Sequence, residues 1–267
     1  MSDRIRADVA LVRQQLCESR ERAQTAIMEG RVFIENKRIN KASEMVCDDD
    51  VLTLKMPDND YVSRGALKLE KAIRVFNADL KGKVIMDIGA STGGFTDVCL
   101  RSGAAHVFSI DVGYGQLDWK LRSDPRVTVM ERTNARFLES DMFHIRPEIT
   151  VMDVSFISIR LILPVAEKIM GEGGVFYTLI KPQFEAGRKH VGKNGVVRDP
   201  ETHKAVLNDI IGYAEETGWR VRAIDYSPIT GPKGNIEFLA YVRAGAESEE
   251  YDIEELAKEA HQKLAEE

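Results

Sequence analysis

From Lys83 onward, short apolar runs alternate with longer stretches whose apolar residues recur at helical spacing. VIMDIG leads into a helical stretch ending near Ser102, and the apolar runs HVFSIDV, VTVMERT and ITVMDVSF follow. A helix from about Arg160 to Met170 precedes VFYTLIK, and another from about Glu201 to Thr217 precedes WRVRAIDYS and NIEFLAYVR. Short apolar strands alternating with helices predict an α/β domain around a largely parallel, buried sheet. The last two strands have no helix between them, which predicts an antiparallel pair at one edge. The expected fold is therefore Rossmann-like: mostly parallel, with an antiparallel edge strand.

The pattern before Lys83 is different. Arg6 to Leu16 places Val9, Val12 and Leu16 at helical spacing, and Ser19 is a suitable N-cap for a second helix, RERAQTAIME. Gly30 would close that helix in a left-handed conformation. RVFIENKRI reads as two short strands about a turn near Asn36–Lys37, and VLTLKM as a further strand. This predicts a small α+β domain over residues 1–59. MPDNDY, Met56 to Tyr61, has the composition of a linker, and residues 60–245 form the second domain. Residues 246–267 could form a helix, but their acid density predicts an exposed or partly disordered acidic tail.

Charge changes the picture once it is located. The net charge of −6 disfavours a polyanionic partner, yet residues 244–267 alone carry nine acids against two lysines. The remainder is close to neutral, and Met1 to Ser43 holds nine Arg and Lys against six acids. A basic head and an acidic tail leave RNA open as a partner. No apolar run approaches the length of a membrane span, and the N-terminus is charged throughout, unlike a secretory signal. Cys17, Cys47 and Cys99 are widely spaced and the five histidines show no ligand pattern, so no disulfide, zinc site or other metal is expected. A reducing cytoplasm is the expected location.

The candidate chemistry starts at Asp87-Ile88-Gly89-Ala90-Ser91-Thr92-Gly93-Gly94. A dinucleotide fingerprint needs glycine where Ser91 stands, and no Gly-Lys-Ser/Thr follows to make a phosphate-binding loop. Asp87 at the strand end suits a cationic ligand group and repels a diphosphate. Asp111 stands near the end of HVFSIDV, where an acid can accept the two hydroxyls of a ribose, although a strand-end acid also commonly caps the next loop. Together the two acids point to S-adenosyl-L-methionine, held by Asp87, Gly89, Ser91, Gly93, Gly94 and Asp111. Asn134, beyond the third strand, is placed to meet the adenine or simply to make a turn. The paired final strands resemble the ending of class I methyltransferases.

The methyl acceptor is read from other residues. Adenine amino-methyltransferases usually carry an Asn/Asp-Pro-Pro-aromatic loop after the fourth strand; here Asp153-Val154-Ser155-Phe156 has no proline. No cysteine lies near a strand end to attack cytosine C5, and Cys99 falls within a helix. Lys181 ends FYTLIK, Asp153 ends the strand before it, and Glu237 interrupts the apolar NIEFLAYV. Each alone suits a solvated cap or an edge charge; together they suggest a polar cluster at the carboxyl edge of the sheet.

SRERAQTAIMEGRVFIENKRI resembles the alpha-L, or S-four-type, RNA-binding module. That likeness implies RNA contacts from Arg4, Arg6, Arg20, Arg22, Lys37, Arg38, Lys41 and, beyond the linker, Arg64. With VSRGALKL, DIGASTGGFTD, MDVSFIS, LIKPQFE and GNIEFL, the chain resembles the TlyA (hemolysin A) family of ribosomal-RNA methyltransferases over nearly its whole length. The resemblance implies the Lys-Asp-Lys-Glu tetrad of FtsJ-like ribose 2′-O-methyltransferases, here Lys68, Asp153, Lys181 and Glu237. It also implies methyl transfer to a cytidine 2′-hydroxyl of ribosomal RNA or ribosomal subunits. Lys181 would act as general base or position the hydroxyl, with Lys68 lowering its pKa and the two acids raising it. A base N-methyltransferase, a membrane-lytic protein and a non-catalytic RNA-binding assembly factor are the competing readings.

Overall fold

The computed structural model describes residues 4–28, 30–35, 37–55, 61–171, 173–192, 194–245 and 251–264. The chain divides into two compact units, Met1–Arg64 and Gly65–Glu267.

The first unit runs β1 (Arg4–Arg6), α1 (Ala7–Arg13), α2 (Arg20–Met28), β2 (Val32–Ile34), β3 (Lys37–Arg38), β4 (Met45–Cys47) and β5 (Leu52–Leu54). Helix α1 stops three residues before Leu16, because Gln15 turns left-handed at φ 58°. Ser19 caps α2, its Oγ accepting the Arg22 N–H at 3.2 Å. Gly30 closes the helix at φ 70°, while the Arg31 N–H reaches back to the Ala26 carbonyl at 3.1 Å. The hairpin pairs Phe33 with Arg38 and Ile34 with Lys37, and β5 flanks β2 on its other side. A second ribbon, β1 with β4, has no counterpart in the sequence pattern. The core comprises Ala7, Leu11, Ala23, Ala26, Ile27, Val32, Val46 and Leu52 among others. Of the linker expected over Met56 to Tyr61, only Tyr61 lies within the described residues.

The second unit opens with α3 (Ala66–Val75), then β6 (Val84–Ile88), α4 (Gly94–Arg101), β7 (His106–Ile110), α5 (Trp119–Arg122) and β8 (Val127–Met130). It continues through β9 (Ile149–Met152), α6 (Leu163–Met170), β10 (Val175–Ile180), α7 (Pro182–Glu185), α8 (Pro200–Glu216), β11 (Trp219–Tyr226), β12 (Phe238–Ala244) and α9 (Ile253–Leu264). Among the described residues these strands make one seven-stranded sheet, ordered β11-β12-β10-β9-β6-β7-β8. The neighbours from β10 across to β8 are parallel. Strand β12 is antiparallel to both β10 and β11, so the antiparallel strand lies second from the edge and β11 is outermost. Chain order proceeds outward from β6 through β8 and returns to β6's other side at β9, opening a crevice at the carboxyl ends of β6 and β9. Phe108, Met86, Met152, Phe176, Phe238 and Trp219 lie in the core of this unit.

Two elements depart from the pattern. Helix α3 has no counterpart in the strand-and-helix alternation, and it carries Lys68. The acidic tail is corrected: Ile253–Leu264 is a helix packed on α8 and β11, with Ile253, Ala257, Ala260 and Leu264 buried. Those four positions follow the helical period, and apolar periodicity outweighs the charge carried on the opposite face. Residues 246–250 and 265–267 lie outside the described residues.

Candidate active site

The turn after β6 is held by three left-handed residues: Gly89 at φ 84°, Ser91 at φ 49° and Gly93 at φ 99°. A Cβ on Gly89 would stand 2.6 Å from the Asp153 carbonyl oxygen, so glycine there lets β6 and β9 approach. Gly94 is the first, buried residue of α4. Asp111 organises the turn from the neighbouring strand. Its Oδ2 accepts the Ser91 N–H at 2.8 Å and its Oδ1 the Gly113 N–H at 2.7 Å, combining loop capping with a place beside the crevice. Asn134 is exposed and caps the short turn Ala135–Phe137, its Oδ1 accepting the Arg136 N–H at 3.1 Å.

Asp87 is wholly buried at the floor of the turn. Its Oδ2 accepts from Thr96 Oγ1 at 2.6 Å, and Thr96 in turn meets Ser109 Oγ at 2.7 Å. Its Oδ1 has no hydrogen-bond partner among the described residues. Burial, with Asp111 and Asp153 adding to it against the Thr96 bond, pushes the carboxyl up to about 7. A buried carboxylate oxygen without a donor is what an ammonium group would satisfy, so the donor set fits a methionine-bearing cofactor better than a diphosphate.

The four residues of the expected tetrad converge at the same edge. Asp153 follows β9, Lys181 follows β10, Glu237 precedes β12, and Lys68 comes from the first turn of α3. Lys68 Nζ lies 2.7 Å from Glu237 Oε2 and 3.1 Å from Asp153 Oδ2. Lys181 Nζ is paired with Asp153 Oδ1 and stands 4.0 Å from Glu237 Oε1. Lys68, Lys181 and Glu237 are each less than a tenth exposed. Two ammonium groups and two carboxylates balance, which is how three buried charges and the partly exposed Asp153 can coexist. Burial works against the charge on Lys68, but Asp153 and Glu237 hold its pKa above the ordinary lysine value. Burial likewise raises Asp153, but Lys181 and Lys68 hold it well below the usual carboxylate range.

Four neighbours complete the site that the strand-end reading did not single out. Ser155 Oγ accepts from Lys181 Nζ at 3.3 Å, and Gln183 Nε2 donates to Glu237 Oε1 at 3.3 Å. Phe156 adopts φ 66° with 88% of its surface exposed, and its ring lies 5.1 Å from that of Phe184. All lie within MDVSFIS and LIKPQFE, so those short stretches were the available signal.

In the first unit the basic residues divide. Arg6 and Arg20 both converge on the buried Asp8: Arg6 by two bonds of 2.9 Å and Arg20 at 3.0 Å. Arg22 pairs with Glu18 and Arg38 donates to Asn40 at 2.9 Å. Guanidinium nitrogens of Arg38 and Arg64 both come within 3.1 Å of where a Gly30 Cβ would be. Arg4, Lys37 and Lys41 are exposed.

A sheet of this order, with its glycine turn after β6 and an acid after β7, is the Rossmann-like fold of class I methyltransferases. The chain belongs to the FtsJ-like methyltransferase family, which its residues 61–244 match, and residues 5–52 match the S4 domain. YqxC of Bacillus subtilis, provisionally described as an rRNA methyltransferase, is 47% identical over 99% of this chain and 97% of its own. The 16S/23S rRNA (cytidine-2′-O)-methyltransferase TlyA of Mycobacterium tuberculosis is 42% identical over 91% of each. A solved structure from Streptococcus thermophilus, provisionally described as a hemolysin, is 44% identical with a TM-score of 0.77, covering all of this chain and 98% of that one.

Proposed function

We propose that the protein transfers a methyl group from S-adenosyl-L-methionine to the 2′-hydroxyl of a cytidine in ribosomal RNA. The observation that carries the reading is the buried Lys68–Asp153–Lys181–Glu237 cluster beside the glycine turn. The activity of the Mycobacterium tuberculosis relative supports it. When bound, the cofactor supplies a methyl group activated for attack. Asp87, Ser91 and Asp111 orient it, with the Asp87 carboxylate facing the ammonium and Asp111 the ribose; Gly89, Gly93 and Gly94 give the backbone its shape, and Asn134 borders the adenine side.

A ribose hydroxyl is a weak nucleophile near neutral pH, so the site must orient it and remove its proton. Lys181 Nζ takes that part once its own proton has passed to solvent: the hydroxyl donates a hydrogen bond to the amine lone pair, and its proton moves there as the O–C bond forms and the methyl–sulfur bond breaks. Asp153 and Ser155 fix Lys181 from one side. Lys68, tied to both acids, holds Asp153 and Glu237 in place. The exposed Phe156 ring, with the half-buried Phe184 ring against it, offers the target nucleotide's base a face to stack on. The S4 unit supplies RNA affinity through Arg4, Arg22, Lys37, Arg38, Lys41 and Arg64. Arg6 and Arg20 contribute from the Asp8 clamp.

The test is incubation with labelled S-adenosyl-L-methionine and each unmodified ribosomal subunit, followed by nuclease digestion and mass spectrometry. The expected product is 2′-O-methylcytidine. Lys181→Ala is expected to lower transfer by roughly 10²- to 10⁴-fold while leaving cofactor binding intact. A base-methylated nucleoside overturns the ribose assignment. Dye release from liposomes without RNA methylation would instead favour a membrane-lytic activity. No helix among the described residues is long and apolar enough to cross a membrane.

A further inference from the structure

The segments after β9 and β10 meet residue against residue. Lys181 holds Asp153 and Ser155, the Phe184 ring lies against Phe156, and Glu185 reaches the far end of the loop. Glu185 Oε2 accepts the Ser158 hydroxyl at 2.6 Å, and Oε1 accepts the Ile159 N–H at 2.9 Å. Ser158 Oγ is itself the cap of the following turn, accepting the Arg160 N–H at 3.3 Å. Burial pushes the Glu185 carboxyl up, against the Ser158 and Ile159 bonds and the nearby Arg160 charge, so this is no solvated surface acid.

Between the two anchors stands Phe156, left-handed and largely exposed. A bulky residue in that conformation costs about 1–3 kcal/mol and persists only where its surroundings over-determine it. The Asp153 end of the loop is fixed by ion pairs to Lys181 and Lys68. The Ser158–Ile159 end is fixed by Glu185, a carboxylate for which neither the tetrad nor the glycine turn has a use.

We infer that Glu185 is a positioning residue, latching the β9 loop so that Phe156 is held in its strained conformation where the target base stacks. This rests on the proposed ribose methyl transfer. The latch also has a signature independent of activity: the Ile159 amide proton is one of its bonds.

The experiment compares wild type, Glu185→Ala, Glu185→Gln, Phe156→Ala and the Glu185→Ala/Phe156→Ala double variant. Its readouts are single-turnover methyl transfer to the unmodified ribosomal subunit, cofactor affinity, and amide hydrogen exchange at residues 154–159. Glu185→Ala is expected to speed exchange at Ile159 and to slow transfer by about 10- to 100-fold with cofactor affinity unchanged. Glu185→Gln can still accept the Ile159 N–H and donate to Ser158 Oγ, and is expected to recover most of the rate. Adding Glu185→Ala to Phe156→Ala is expected to cost nothing further, because the latch acts through that ring. Equal losses from Glu185→Ala in both backgrounds, or protected Ile159 exchange with a wild-type rate, overturn the inference. Should Glu185→Ala fail to fold, Ser158→Ala removes one of the two latch bonds and must show the same non-additivity with Phe156→Ala. If wild type makes no 2′-O-methylated nucleoside, the functional reading fails, whatever the exchange data show. If wild type makes it and Glu185→Ala matches wild type, only the latch fails.

Discussion

Asp87 couples the floor of the glycine turn to pH. Its carboxyl, pushed up to about 7 by burial, keeps a proton in the native state that the unfolded chain releases near pH 4. Between those values the unfolded state binds fewer protons, so stability falls as pH rises and levels off above about 7. Asp153 acts in the opposite sense. Its depressed pKa stabilises the native state above the ordinary carboxylate value, and that contribution is lost as pH falls further. Asp87→Asn removes only the first effect. In the cofactor-free protein this variant is expected to gain on wild type progressively from pH 4 to 7, by up to about 4 kcal/mol, and then to hold a constant advantage. Denaturant unfolding at pH 4, 6 and 8 reads this directly, and a gap that does not change with pH sinks the buried-acid account. The same variant should bind S-adenosyl-L-methionine more weakly, since an amide brings no charge to an ammonium.

At the scale of elements, the two left-handed glycines of the turn carry different risks. A methyl on Gly89 would collide with the backbone of Asp153, whereas one on Gly93 would meet the side-chain ends of Leu117 and Leu121. Side-chain ends can shift; a strand-end carbonyl moves only with its strand. Gly89→Ala is therefore expected to cost about 1–3 kcal/mol and to slow transfer as well as weaken cofactor binding, because Asp153 moves with the strand. Gly93→Ala is expected to leave transfer nearer wild type once cofactor is saturating. Calorimetric titration and single-turnover rates on both variants separate these outcomes, and equal loss of saturated rate would refute the distinction. Elements also mark where periodicity was and was not legible. The strands of the sheet were readable because each is a short apolar run. Helix α3 was missed because SRGALKLE is short and mixed in polarity. The helix in the acidic tail was misjudged because charge density hid an apolar stripe of four residues.

For the whole molecule, the charge distribution matters more than the total. Lys37 and Lys41 are exposed on the S4 unit, and removing either is expected to weaken subunit binding across salt concentrations. Each should flatten the plot of log affinity against log salt by roughly 0.7–0.9, leaving cofactor affinity untouched. An unchanged slope would show that the lysine meets no phosphate. Arg6→Ala should behave differently: it leaves Asp8 buried with one cation fewer, so it should lower the melting temperature of the first unit as well as RNA affinity. The sequence by itself determined the order of strands and helices, the glycine turn and the residue types at strand ends, because these depend on local periodicity and on chemistry at fixed positions. It could not place Lys68 against Glu237, 169 positions away. Nor could it show that Asp87 is buried with an unpartnered oxygen, that Arg6 and Arg20 share one carboxylate, or that Glu185 closes onto Ser158. Lys68–Glu237 and Glu185–Ser158 join separate segments that the sheet's crossover at β6 and β9 brings together, and the surroundings of Asp87 and Asp8 depend on which groups packing removes from water. Only the tertiary structure decides them.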